Sequence, residues 1–159
     1  MMKVVNLFAI PKYFMFESAI KRRKPLGAGA RRHGWVGSVI LLNRLPLDSR
    51  IYVVRDGFEV PRNVVRSLWT KFSFLVTQPI RSRGWISDVM QCIRELDKKE
   101  FTLSELYGFE ERLADLHPEN RNVRPKIRQQ LQVLRDQGII EFMGGGLYRV
   151  LLPGSPRDM

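Results

Sequence analysis

Arg124, Lys126, Arg128, Gln129 and Gln132 fall within nine residues of one another, and their side chains hydrogen-bond to base edges and phosphates. Wound as an α-helix, this segment gathers Val123, Ile127, Leu131 and Leu134 into one narrow arc. Pro125, Lys126, Gln129, Gln132 and Asp136 take the opposite arc, flanked by Arg124 and Arg128. Guanidinium, ammonium and amide groups on an outward helix face suit major-groove contact, though the same composition also makes an ordinary solvated surface. The preceding segment favours the first reading. Its Glu105, Glu110, Glu111 and Asp115 make it acidic, so the positive charge of this half is expected on the last helix. A second constellation, Arg31-Arg32-His33-Gly34-Trp35-Val36-Gly37, sets two guanidinium groups and an indole between glycines. Arginines hold phosphates, and an indole stacks on a base or packs against a base methyl group. From the residues alone Trp35 also fits a core role, which is the commoner one for a tryptophan ahead of an apolar strand.

No arrangement for covalent or metal chemistry accompanies these groups. There is no phosphate-cradling glycine loop followed by lysine, no Gly-x-Ser-x-Gly elbow and no His-Glu-x-x-His helix. The one acidic-x-lysine match, Asp97-Lys98-Lys99, falls where a solvated turn is expected. The basic half has only Glu17, Asp48, Asp56 and Glu59 as acids, none at that spacing to a lysine. His33 reads as a loop histidine. With His33 and His117 the only histidines and Cys92 the only cysteine, neither a zinc cluster nor a disulfide framework is available. The expectation is no catalytic residue, no metal ligand and no cofactor in this chain.

The elements that position these groups follow from charge and periodicity. The chain has 159 residues and a net charge of +11, and the excess is confined to one half. Residues 1–81 carry 15 basic and 4 acidic side chains; residues 82–159 carry 12 of each. Such a concentration of positive charge attracts polyanions, nucleic acid foremost. The longest apolar uncharged run, His33 to Asn43, is far short of the ~18 residues that a bilayer requires. Met1 to Ile10 does not read as a secretory signal, and a lone cysteine suits a reducing cytoplasm.

The basic half shows short β-rich runs, Val4 to Ile10, Trp35 to Leu42 and Ile51 to Arg55, the last followed by the turn dipeptide Asp56-Gly57. Pro61 to Phe72 reads as one helix with Val64, Val65, Leu68 and Phe72 on its inner face. That is a thin core, which reads as part of a sheet domain. In the second half Trp85, Val89, Ile93 and Leu96 define a first helix. Thr102 and Glu105 form a capping box for a second, with Phe101 stapled onto Leu106. This helix is expected to run through Phe109, Leu113 and Leu116 to His117-Pro118. Asn122 is the expected N-cap of the third helix, and Gly138 suits its left-handed end. A hairpin follows, turning at Gly144-Gly145-Gly146, where Tyr148 or Arg149 could touch phosphate. Three helices closed by a hairpin is the winged-helix plan, with a frayed tail over 153–159.

Several motifs resemble a known family. Phe8-Ala9-Ile10-Pro11-Lys12-Tyr13-Phe14, Arg22-Arg23-Lys24-Pro25-Leu26, Ala30-Arg31-Arg32, Gly34-Trp35-Val36-Gly37 and Ile51-Tyr52-Val53-Val54 look like the later part of the nuclease domain of DpnI-like, Dam-replacing enzymes. Arg83-Gly84-Trp85, His117-Pro118-Glu119-Asn120, Lys126 to Leu131, Leu134-Arg135-Asp136 and the Phe142 to Tyr148 wing look like that family's winged helix. These enzymes are methyl-directed type II restriction endonucleases that cut GATC when its adenine is N6-methylated, using Mg²⁺ and a P-D…(D/E)-x-K core. The resemblance implies that Trp35 senses the methyl group. It also places the acidic-x-lysine core upstream of every motif matched here.

The resulting expectation is an α+β chain. Residues 1–81 would be a basic remnant of the PD-(D/E)XK-type nuclease domain, an incomplete sheet segment lacking the catalytic core. Residues 82–152 would be a winged helix-turn-helix domain. The expected function is binding of N6-methyladenine GATC duplexes by a truncated portion of a type II restriction endonuclease in a prokaryotic cytoplasm. The contacts would come from Arg31, Arg32, Trp35, Asn122, Arg124, Lys126, Arg128, Gln129, Gln132 and Tyr148. Mg²⁺ would belong to the full-length family enzyme, and a missing nuclease half could act in trans. The alternative is a winged-helix transcription regulator indifferent to methylation.

Overall fold

The structure, a computed structural model, describes residues 3–151 and is α+β, with three small antiparallel sheets and five helices among those residues. The chain divides into two compact units after Gly84. Leu152 and the 153–159 tail lie outside the described residues.

The first unit contains β1 (Leu7–Ala9), β2 (Ile20–Arg22), β3 (Ser38–Ile40), β4 (Ile51–Arg55), β5 (Phe58–Glu59) and α1 (Arg62–Lys71). β4 lies between β1 and β5. The β4–β5 connection is Asp56-Gly57, both with positive φ (52° and 85°), the twist that a two-residue hairpin needs. α1 lies against β4. Its Val64, Val65 and Leu68 are half-buried, and Phe72 just beyond it is buried. The core is less thin than the strands and helix alone suggest, because short 3₁₀ turns at Lys12–Phe14, Glu17–Ala19 and Ser73–Thr77 deliver Tyr13, Phe14, Ala19 and Leu75 into it. Phe14 meets Phe72 edge-on at 5.6 Å, and the Tyr13 hydroxyl donates to the Trp69 carbonyl at 2.7 Å.

Two expected strands are shorter than read: Val4–Ile10 contracts to β1 and Trp35–Leu42 to β3. Between these two runs the cationic stretch from Lys21 to Lys24 contributes to a strand itself, β2. Ile20, Lys21 and Arg22 pair with Ile40, Val39 and Ser38, and neither strand has a buried residue. With no buried face there is no apolar alternation to read, and only backbone pairing makes the ladder. It continues through Arg23 N–H to Gly37 O (2.9 Å) and Leu26 N–H to Trp35 O (3.0 Å), giving an arm from Ile20 to Ile40.

The second unit is built from α2 (Ile80–Leu96), whose Trp85 onward belongs to it, then β6 (Glu100–Thr102), α3 (Leu103–Tyr107), α4 (Glu110–Leu116), α5 (Val123–Asp136), β7 (Ile140–Gly144) and β8 (Leu147–Val150). Trp85, Val89, Ile93, Leu106, Leu113, Val123, Ile127, Leu131 and Leu134 are buried together with Ile86 and Met90. Two features depart from the sequence reading. The expected second helix is two, because at Gly108 and Phe109 the amides bond three residues back, to Glu105 and Leu106, before the α-pattern resumes at Leu113. Phe101 is a strand residue: β6 pairs with β8 to make a three-stranded sheet, β6-β8-β7. Phe101, Tyr148 and Phe142 stand in one cross-strand row, Phe101 stacked on Tyr148 at 5.5 Å.

The capping box is complete, with Thr102 Oγ1 accepting from Glu105 N–H and Glu105 accepting from Thr102 N–H. Asn122 occupies the N-cap of α5 but makes no side-chain cap; its backbone N–H donates to Asn120 Oδ1 at 2.8 Å. At the other end Gly138 (φ +64°) closes a Schellman turn, Gly138 N–H to Arg135 O and Ile139 N–H to Leu134 O. The β7–β8 turn is Gly145-Gly146 with φ of 58° and 80°. No helix among the described residues is long and apolar enough to cross a membrane.

Candidate nucleic-acid interface

α5 separates its faces as its periodicity dictates. Arg124, Arg128, Gln129 and Gln132 are exposed and Lys126 is half-buried at its rim. Gln130, which carries no signal in the pattern, is 2% exposed; its Nε2 donates to Lys126 O and Gln129 Oε1, both at 3.4 Å. The Lys126 ammonium donates to Gln129 Oε1 at 2.8 Å, which turns the Gln129 carbonyl toward the lysine and leaves its amide N–H groups directed elsewhere. Gln132 has no protein partner among the described residues.

The arginines of α5 are held by the helices before it. Arg124 Nε donates to Glu110 at 2.7 Å, and its guanidinium lies 5.0 Å from the centre of the Tyr107 ring. Arg128 donates to the Tyr107 hydroxyl at 2.9 Å. The acidic segment is therefore not electrically separate from α5, as its composition suggested: Glu110 neutralises one of the helix's own cations. The β7–β8 hairpin behaves likewise. Arg149 pairs with Glu100 at 2.9 Å and Glu141 at 3.6 Å, and Tyr148 is half-buried in the aromatic row, its hydroxyl pKa pushed up by burial.

The arm in the first unit is the opposite case. Between Ile20 and Ile40 there are six cations, Lys21, Arg22, Arg23, Lys24, Arg31 and Arg32, and no acid. None of the six is ion-paired among the described residues, so their charge faces solvent uncompensated. Trp35 is 53% exposed, which removes it from the core. Its ring lies over Gly37, where a Cβ would stand 2.9 Å from two ring carbons. The flanking glycine is therefore what lets the indole lie along the arm with its other side open. His33 is an exposed loop residue.

Other polar groups serve the scaffold, and sequence pattern did not reveal them. His117 Nε2 lies 2.7 Å from the buried Asp88 carboxylate, and the imidazole stacks on Trp85 at 4.0 Å, joining α2 to the end of α4. Arg112 bridges Glu95 and the Cys92 sulfur, and burial pushes the Cys92 thiol up to about 11, so it stays protonated at neutral pH. Asp97 lies in the turn after α2 with φ of 51°, and Lys98 pairs with Glu105. Glu17, Asp48, Asp56 and Glu59 are dispersed over separate turns and strands. Among the described residues no three His, Cys, Asp or Glu side chains gather to hold a metal ion.

Comparison with known families matches both units. Residues 1–78 match the Dam-replacing family, and residues 81–150 match the Dam-replacing HTH domain. The helix carrying Lys126, Gln129 and Gln132 thus lies within a domain type built for DNA, and the cationic arm lies within the segment that precedes it in the family. The chain belongs to the Dam-replacing family and carries that family's DNA-binding helix-turn-helix domain.

Proposed function

We propose that this chain binds GATC duplexes in a way that depends on N6-methylation of the adenine, with α5 as the base-reading helix of a winged helix-turn-helix. The observation that carries this reading is the outward face of α5, where two amide side chains and three cations stand over a fully buried apolar stripe. In such a domain this helix enters the major groove with its N-terminal residues nearest the bases, which suits Asn122, Arg124 and Lys126. Gln129 and Gln132 are the side chains that match adenine N6 and N7. Arg31 and Arg32 hold phosphates, while the open face of Trp35 offers an apolar plane against the added methyl group. Tyr148 supports the wing from within its aromatic row and meets the backbone only through its hydroxyl.

The test is a fluorescence-anisotropy titration at fixed salt with GATC duplexes that are fully methylated or unmethylated. Preference for the methylated duplex, abolished in Trp35→Ala, is the expected result. Equal affinity for both duplexes refutes the methyl reading and leaves the alternative, a winged-helix regulator indifferent to methylation.

A second reading is favoured by one observation: β1 is an edge strand, and its first residue Leu7 and the preceding Val4 and Val5 are exposed. An acidic-x-lysine segment from another polypeptide would add there by strand pairing and supply the nuclease activity. Cleavage of methylated plasmid in Mg²⁺ by this chain together with such a segment, and by neither alone, tests it.

A further inference from the structure

α1 carries a surface that neither the arm nor α5 accounts for. Its inner arc, Val64, Val65 and Leu68, turns inward. Its outer arc is an open groove lined by Arg62, Asn63, Arg66, Ser67, Thr70 and Lys71, every one a hydrogen-bond donor. Not one acidic residue occurs from Val60 to Ser87. Arg62 and Arg66 are exposed and have no ion-pair partner among the described residues.

This arrangement opposes the interests of the helix. Arg62 and Arg66 stand four residues apart, where like charges destabilise a helix by about 0.2–0.5 kcal/mol. Arg62 is also the first residue of α1, at the positive end of the helix dipole, where a carboxylate is the favourable choice. The first turn contains no acid to offset it. Local rules broken together, with no compensating contact inside the protein, mark a surface shaped for a ligand.

We propose that the outer face of α1 is a phosphate-backbone contact for duplex DNA, separate from the base-reading helix. Side chains four apart on a helix have Cβ atoms about 5–6 Å apart, so two guanidinium groups reach neighbouring phosphates of one strand. The amide of Asn63 and the hydroxyls of Ser67 and Thr70 add the neutral donors that commonly accompany arginine on phosphate oxygens. Such a contact carries no sequence information and acts by releasing counterions, about 0.9 in the slope of log K against log salt for each phosphate neutralised. This inference rests on the DNA-binding reading of the chain.

The test measures binding of the full chain to methylated GATC duplex and to a scrambled duplex across a salt series, for the unmodified protein, Arg62→Ser/Arg66→Ser and Arg62→Lys/Arg66→Lys. The serine pair is expected to weaken binding to both duplexes by the same factor, about tenfold at low salt, and to lower the salt slope by about 1.8. The lysine pair keeps the charge and is expected to keep the slope. An unchanged slope in the serine pair overturns the proposal while leaving the DNA-binding reading intact. Equal weakening in the serine and lysine pairs overturns it too, since charge would then not be the cause. Failure of the unmodified chain to bind either duplex refutes the parent reading instead.

Discussion

Replacing Glu110 by glutamine should tighten DNA binding, although Glu110 itself points at no ligand. The carboxylate takes a hydrogen bond from Arg124 Nε at 2.7 Å, so that N–H is committed and the guanidinium charge is partly neutralised before any phosphate is met. Both side chains are partly exposed, at 57% and 36%, which places the pair in the weak class of surface ion pairs, about 0.2–1 kcal/mol. Released in full to binding, this corresponds to a gain of up to about 5-fold in affinity at low salt. Salt screens both the internal pair and the DNA contact, so the gain should shrink as ionic strength rises. The Glu110→Gln protein should also melt slightly earlier, because an acid at the start of α4 is worth about 0.3–1 kcal/mol against the helix dipole. Anisotropy titrations on one GATC duplex, with Arg124→Ala and the double variant completing the cycle, isolate the coupling. If Glu110→Gln tightens binding as much in the Arg124→Ala background, the effect is general charge and the exchange argument is wrong. Unchanged or weaker binding in the single variant also refutes it.

Changing Lys126 and Gln129 together to alanine should cost roughly 1–3 kcal/mol for each base-edge interaction removed on the preferred duplex, with little effect on scrambled DNA; the ratio of the two titrations reads it. Thr102→Ala removes a cap that accepts the Glu105 amide and should lower stability by about 1 kcal/mol in a denaturant melt. The hydrogen bonds from Lys98 and from the Thr102 backbone hold the Glu105 pKa down at about 2, so its stabilisation is present above the usual carboxylate range near 4.3 and is lost as pH falls toward 2. Melts between pH 5 and 2 should therefore show a steeper acid loss in the unmodified protein than in Glu105→Gln. His117→Ala leaves the Asp88 carboxyl buried without its 2.7 Å partner and should cost about 1–3 kcal/mol, visible as an earlier thermal midpoint.

What the sequence made legible was local. α5 could be drawn from its stripe of Val123, Ile127, Leu131 and Leu134, and its end from Gly138, because helical period and a left-handed glycine are properties of neighbouring residues. Phe101 was ambiguous for a physical reason: an apolar residue before a capping threonine looks the same whether it staples onto Leu106 or pairs as a three-residue strand. Gly108 gave no warning either, since a glycine can continue a helix or tighten it. Lys21 and Arg22 did not read as a strand because neither face of the arm is buried. The functional partnerships were least legible of all. Arg124 with Glu110, Arg128 with Tyr107 and His117 with Asp88 are fixed by how helices meet, which composition does not encode. The expectation that the acidic segment isolates charge on α5 failed at that point.

The two cationic surfaces differ in more than position. The arm's cations have no internal partners among the described residues, so turning them toward any polyanion forfeits nothing within the protein. Those of α5 each hold a partner: Arg124 has Glu110, Arg128 has Tyr107 and Lys126 has Gln129. A tied cation contributes to binding only the difference between its DNA interaction and the internal one it leaves. At a site with well-placed acceptors that difference is favourable; at a mismatched site the side chain keeps its internal bond and adds almost nothing. Intramolecular pairing thus trims the general attraction of the helix and makes it more selective, by up to about 5-fold for a surface pair worth at most about 1 kcal/mol. The charge distribution agrees with this division, since residues 82–159 are neutral overall while residues 1–81 carry the whole excess of +11. Under the proposed reading, general attraction belongs to the arm's cations, methyl discrimination to Trp35 and base discrimination to α5, and loosening the pairs on α5 should raise affinity and lower base selectivity together.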